Sequence, residues 1–345
     1  MPEEPDPSPS PNRLPFEPAN VAPLVTLVAL ILFFCLFGRN FFDPGTVSQV
    51  LEQGAVIGIV AAGLTFVLLC GEIDLSVGNM ALWTACLCGV LFEAPFAAGK
   101  GGTQFAASAP VVFAVILLPL LAAVALGLLS GVLTVASRLP SFIITLSMMY
   151  IASGLALYFT KSLQFHMPPV IERLGNGGLR LPLTEKLRLP YSAMLAVAVL
   201  FVSHLVLQYT RFGRYVYMTG GNREAARLAG VRTHRIVIAC LAISALAAGL
   251  GGLVNAGRLG SVTLDQNADL LLNAVACVVL GGTSLFGGEG GIPRTVVGVL
   301  TLSVLRVGLD KIAWIDNYMR TFLLGAVLLA ALVLNGFLAR RRRAQ

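Results

Sequence analysis

The chain has 345 residues, of which 57% are hydrophobic and 12% charged, and its formal net charge is +7. That charge density is about half that of a soluble domain, and with a mean hydropathy of +0.84 it excludes a water-soluble globular protein and marks a polytopic membrane protein. The basic residues cluster beside apolar runs without interleaved aromatics, so they speak for topology and lipid contact and against nucleic acid.

Residues 1–20 (MPEEPDPSPSPNRLPFEPAN) are rich in Pro, Ser and acid, a composition that does not form a packed core. This segment has no basic n-region, and no small-residue cleavage site follows the first apolar run. That run is therefore expected to stay as an anchor. A membrane span needs roughly 20 mostly apolar residues. The expected spans are 21–38, 47–70, 76–94, 110–137, 141–160, 191–209, 236–257, 267–285, 294–309 and 318–338. They make an all-α membrane domain over 21–338, followed by a basic tail at 339–345. The run 110–137 is long enough to tilt, or to break at Pro119; 76–94 starts straight from a polar turn, and 294–309 is short. Small residues are dense in 122–131 and in SALAAGLGG (244–252), which reads as a helix–helix contact.

Orientation follows from Lys and Arg. The stretch 211–235 holds six arginines, and Arg340 to Arg343 form a second cluster. Four spans separate the two clusters, so both fall on the same side, taken as cytoplasmic together with the N-terminus. The connection 161–190 then lies outside, although it carries five basic residues.

Two glycine-rich turns interrupt the apolar pattern, at 71–78 (GEIDLSVG) and 281–291 (GGTSLFGGEGG). Their apolar approaches resemble each other, which suggests an internal duplication of the kind found in transporters. The candidate residues here are Gly71, Glu72, Asp74, Ser76 and Gly78, with Gly281, Gly282, Thr283 and Ser284. Glu72 and Asp74 read either as proton or cation ligands or as turn residues open to water, with Asp74 capping a helix that begins at Leu75. The GGEGG run at 287–291 reads either as a backbone nest for an anion, without the Lys and Ser/Thr of a phosphate loop, or, in preference, as a tight turn with Pro293 opening the next helix. Glu52 and Gln53, near an outer span end, are candidates to line a polar path or simply to meet the interface. Asn255, Asn273 and Asn335 are either interhelical partners or path residues. The cysteines (Cys35, Cys70, Cys86, Cys88, Cys240 and Cys277) all lie in apolar runs with no histidine at ligand spacing, so neither a metal nor a disulfide is expected. No catalytic motif is present, and no cofactor of the chain's own is expected.

Within 211–235, Asn222 is placed to N-cap a short helix, Glu224 lies in its first turn, and Gly230 fits the position just past its end. Arg223, Glu224 and Arg227 fall near one another, while Ala225, Ala226, Leu228 and Ala229 provide an apolar surface. Two turns of helix are too few to be stable alone in water, so this segment must pack on its own domain or on a partner.

Four segments, in order, carry a resemblance: GEIDLSVG (71–78), RLPSFIITLSMMYIASGLAL (138–157), GRYVYMTGGNREAARLAGV (213–231) and AVACVVLGGTSLFGGEG (274–290). Over 45–338 the chain resembles the permease subunits of binding-protein-dependent ABC sugar importers of the ribose, xylose and galactose class. The resemblance implies about ten spans, a bacterial inner membrane location and a second permease subunit, identical or paralogous. It also implies a cytoplasmic ATPase subunit, which would bind the ATP, and a periplasmic sugar-binding protein. Residues Glu224, Ala225, Ala226 and Gly230 look like the EAA-x-x-x-G segment that docks on the ATPase. The sequence departs from the family pattern at Asn273, where an acid is expected, and at Glu72, where glycine is common. Permeases for nucleosides or branched-chain amino acids are the nearest alternative. An ion-coupled secondary transporter would need carboxylates well inside spans, and a channel would need a filter or charged ring.

Overall fold

A computed structural model describes residues 18–93, 109–180, 187–264, 267 and 269–343. Most of the acidic N-terminal tail and the last two residues of the basic tail lie outside these, as does the side chain of Asn335. The described chain is almost wholly helical. Its first half contains α1 (Pro18–Phe37), α2 (Pro44–Leu69), α3 (Val77–Glu93), α4 (Ala109–Ser137) and α5 (Ser141–Thr160). A short excursion follows: β1 (Phe165–His166), α6 (Pro169–Asn176), β2 (Gly178–Arg180) and β3 (Arg188–Pro190). Then come α7 (Tyr191–Tyr209), α8 (Arg211–Gly221), α9 (Arg223–Leu228), α10 (Thr233–Leu259), β4 (Ser261–Val262), α11 (Leu270–Leu280), α12 (Ile292–Asp310) and α13 (Asn317–Arg343).

Among the described residues, six helices are long and apolar enough to cross a bilayer: α2, α4, α5, α7, α10 and α12. Shorter apolar helices at Ala22–Phe37, Val77–Glu93, Leu270–Leu280 and Tyr318–Ala330 occupy the remaining four expected spans. α4 runs unbroken through Pro119. The largest departure is the eighth span, expected over 267–285 but helical only over Leu270–Leu280. At 1.5 Å per residue its 11 residues reach about 16 Å, roughly half the hydrocarbon core. Gly281 and Gly282 end it on one side, and on the other Asn267 and Asp269 are non-helical. Such backbone is tolerated at membrane depth only where protein or a cavity covers it.

The connections sort to two ends. Arg39 N–H donates to Lys311 O at 3.1 Å, Ser48 Oγ donates to Arg188 O at 2.7 Å, and β1 pairs with β4, so these connections share one end. At the other end Gly288 N–H donates to Leu69 O at 2.9 Å, and Glu72 meets Arg223. The described connections therefore fall at the ends expected of alternating passes.

α2 and α10 form the centre. In α2, 83% of the apolar stretch is buried, against 22% in α4, α5 and α7, whose outward faces are uncovered. The small residues of α10 explain its position. A Cβ at Gly252 would lie 2.2 Å from Ala81 O in α3, one at Gly251 2.4 Å from Val60 in α2, and one at Gly127 in α4 2.5 Å from Ala245. SALAAGLGG is thus a helix–helix contact, as its composition indicated: only small side chains let backbones approach this closely.

Candidate functional site

α9 forms as its end signals direct. Asn222 Oδ1 accepts from Ala225 N–H at 3.0 Å. At the other end Gly230 has φ +82°, Gly230 N–H donates to Arg227 O, and Val231 N–H donates to Ala226 O. These two bonds complete a Schellman stop. The helix is held by Ala226, only 1% exposed, which packs with Val216, Val231 and Val237. Its apolar residues therefore divide: Ala226 faces the chain's own domain, while Leu228 is 83% exposed beside exposed Ala225 and Ala229.

The three charged residues divide as well. Glu224 pairs with Arg227 at 3.6 Å, but Arg223 turns away and meets Glu72 at 2.5 Å. Glu72 is only 8% exposed, so this bond ties α9 to the first glycine turn. Arg138, Arg227 and His234 line the same groove as this pair, which has a volume of about 760 Å³.

The two glycine turns are built alike. After α2, Gly71 N–H donates to Leu68 O and Glu72 N–H to Val67 O; after α11, Gly282 N–H donates to Val279 O and Thr283 N–H to Val278 O. Gly71 and Gly282 have φ +77° and +95°, the left-handed conformation that such a stop requires. Thr283 Oγ1 accepts from Gly291 N–H at 3.4 Å, and Ser284 Oγ accepts from Phe286 N–H at 3.1 Å. Helix α12 then opens with Pro293 in its first turn. The turns touch one another through Gly71, Gly287 and Gly220 of α8, and Thr65 in α2 is bonded to Thr295 in α12 at 2.8 Å.

Beyond Glu72 the structure corrects the sequence reading. The helix begins at Val77, not Leu75, and residues 72–76 are non-helical. They run along α5: Ile73 N–H donates to Ser141 Oγ at 3.0 Å, Leu75 N–H to Thr145 Oγ1 at 3.1 Å, and Asn79 Nδ2 to Met149 O at 3.1 Å. Hydroxyls spaced one turn apart on α5 replace the missing helical partners. Water does not reach Asp74, which is 2% exposed. Its Oδ1 accepts from Ser76 N–H at 2.9 Å and from Ser76 Oγ at 2.6 Å; its Oδ2 accepts from Ser244 Oγ of α10 at 2.8 Å. Asp74 thus pins the non-helical segment to the central helix instead of capping α3. Gly78 lies against Asn267 O, where an added Cβ would be 3.2 Å away.

Asp74→Asn keeps one carbonyl for Ser76 and an amide that can donate to Ser244, and should leave folded yield and uptake near wild type. Asp74→Leu removes the acceptor of three bonds and should cost about 1–3 kcal/mol per group left unsatisfied. Thermal melting in detergent beside uptake assays separates the two; loss of uptake in a normally melting Asp74→Asn protein would make this a functional carboxylate.

At the opposite end, Gln53 and Asn273 line one cavity of about 140 Å³ with Asn255, Arg258, Asp269 and Arg306. Glu52 and Gln53 line a neighbouring space of about 310 Å³ with Asp310 and Lys311. Gln53, Asp269 and Arg306 also face a third, of about 250 Å³. All three proposed path residues are thereby brought together around Gln53. The sequence reading missed Arg258, Asp269 and Arg306, although an arginine within the apolar run 294–309 is itself a signal. Asn255 Nδ2 donates to Asn267 Oδ1 at 2.9 Å, so Asn255 ties α10 to the turn before α11 and lines the cavity as well. No cluster of three metal-binding side chains occurs among the described residues.

Residues 46–332 match the family model described as branched-chain amino acid transport system / permease component. The ribose import permease protein RbsC of Escherichia coli (strain K12) is 32% identical over 314 residues, covering 90% of this chain and 92% of that protein. The fructose import permease protein FrcC of Rhizobium meliloti is 29% identical, covering 94% and 86%. The autoinducer 2 import system permease protein LsrC of Photorhabdus luminescens is 31% identical, covering 90% and 89%. No solved structure gives a significant match.

Proposed function

The chain belongs to the branched-chain amino acid transport system / permease component family, and on that premise we propose that it is the membrane-spanning subunit of an ATP-driven importer of a monosaccharide. A separate ATPase subunit would engage α9, a sugar-binding protein would deliver solute at the opposite end, and a second permease subunit would complete the pathway. The observation that carries this reading is α9 itself. It is capped at both ends and anchored by Ala226, yet holds Leu228 out in solvent. An exposed leucine on a helix already ordered by its own domain is the form of a docking element. Relatives that import ribose and fructose support the sugar class. The family's own description supports an amino acid as the second reading.

The end bearing α9 is assigned to the cytoplasm. Lys and Arg are almost evenly divided between the two ends, and the assignment rests on the clustering of six arginines within 211–235, with Arg138 and Arg294 beside span ends at the same side, as at an inner face. The test is uptake of labelled D-ribose, D-fructose, leucine and adenosine by cells that also express an ATPase and a binding protein encoded beside this chain. Import of either sugar alone is expected. Import of leucine or adenosine instead would replace the sugar reading. In the same cells an impermeant thiol reagent should modify cysteine placed at Asn176 and spare it at Asn222.

A further inference from the structure

We propose that Gln53, Asn273 and Arg306 form the site at which hydroxyl groups of the transported solute are bound inside a single protomer. The inference rests on the reading of the chain as a sugar permease and adds the residues and chemistry of recognition.

Three observations carry it. First, these side chains converge from α2, α11 and α12 on one cavity and make no hydrogen bond or ion pair with another side chain among the described residues. Asn273 is 6% exposed. Buried polar groups are normally bonded, and an arginine in a membrane helix costs about 2.5–3.5 kcal/mol on insertion scales, so a buried amide sharing a cavity with a half-buried glutamine and a half-buried arginine is poised for something that enters it. Second, the cavity lies where the α11 pass is broken. Asp269 and Leu270, at the broken end, line it, and Nδ2 of buried Asn267 beside it is without a partner among the described residues. Irregular backbone at membrane depth belongs where a path is lined.

Third, the chemistry of the wall suits a neutral polyol. Gln53 and Asn273 each offer both a donor and an acceptor, as a hydroxyl does, while Arg306 donates and Asp269 accepts. Arg258 and Arg306 face Asp269 with no excess of negative charge, so a free cation is not favoured. No aromatic side chain lines the cavity among the described residues, which leaves a nucleobase without a stacking surface. A few hydrogen bonds without an enclosing aromatic clamp give the weak hold that passage requires.

The experiment uses the full complex in cells, with D-ribose and D-fructose as probes. Gln53→Ala and Asn273→Ala should each lower sugar uptake about tenfold, the loss expected for roughly 1.4 kcal/mol of binding. They should also change the ratio of ribose to fructose uptake, while ATPase co-purification and thermal melting stay as in wild type. A purely structural role would scale both sugars alike. In a second measurement, the Asn273→Cys variant should react with a small charged thiosulfonate added outside, and excess ribose should slow the reaction. Unchanged uptake in both alanine variants, an unchanged sugar ratio, or an Asn273→Cys protein inert to the external reagent overturns the site. Wild-type cells that import leucine or adenosine but neither sugar overturn the underlying reading as well, and that failure shows before any variant is made.

Discussion

Gly220→Ala should abolish uptake and sharply lower the yield of folded protein, whereas Gly221→Ala, one residue on, should do neither. A Cβ at Gly220 would lie 1.8 Å from Leu69 O and 2.8 Å from Gly288 N, while one at Gly221 meets nothing within 4 Å. The obstructing atoms are backbone, so no rotamer change relieves the clash. α8, the end of α2 and the second glycine turn must separate, and the 2.9 Å bond from Gly288 N–H to Leu69 O is lost with them. Overpacking of this kind costs on the order of 3 kcal/mol, a large share of a domain's net stability. The adjacent pair controls for helix propensity, since both substitutions replace a helical glycine by alanine. Equal melting temperatures for the two variants would show that the three-way glycine contact is not needed.

The second large effect is expected at α9. Leu228→Asp should disrupt the complex with the ATPase while the permease alone melts as before, because Leu228 is exposed and holds no core position. If Leu228 is an anchoring contact, its loss is worth about 2 kcal/mol or more, seen as roughly a thirtyfold weaker association. Glu224→Lys would break the 3.6 Å pair with Arg227 and set a cation against the positive helix end. Gly230→Val meets no neighbour, so its whole effect is the cost of holding a β-branched residue at φ +82°, of order 1–3 kcal/mol. Both changes should uncouple ATP hydrolysis from solute, measured as loss of solute-stimulated ATPase activity in reconstituted complexes. Normal uptake by the Glu224→Lys, Gly230→Val double variant at equal expression would show that α9 is not the coupling element.

These two sites differ in how they could be read. The caps of α9 were legible because Asn222, Glu224 and Gly230 act within one or two turns of one another, and the physics of a helix end is local. The glycines of the two turns were legible for the same reason: left-handed backbone selects glycine wherever the rest of the chain goes. Apolar runs likewise located the six long helices, since a bilayer imposes its thickness on each segment separately. Where a pass is broken, that reasoning stops. The apolar run through α11 continues across Gly281, but the helix does not, and 72–76 is left non-helical where hydroxyls on α5 lie at hand to satisfy it.

What the sequence determined by itself was therefore the membrane class, the ten apolar segments, the capped helix and the glycine stops. The tertiary structure alone decided which polar groups meet. Glu72 and Arg223 are separated by 151 residues, and Asp74 and Ser244 by 170. Gln53, Asn273 and Arg306 come from three different helices. In the sequence Asp74 looked solvated, because nothing near it in the chain would exclude water. In the fold α5 and α10 close over it, and its carboxylate is held by hydroxyls and an amide. The cost of burying a polar group depends on what surrounds it in space, so its role follows from long-range packing, which composition and spacing along the chain do not encode.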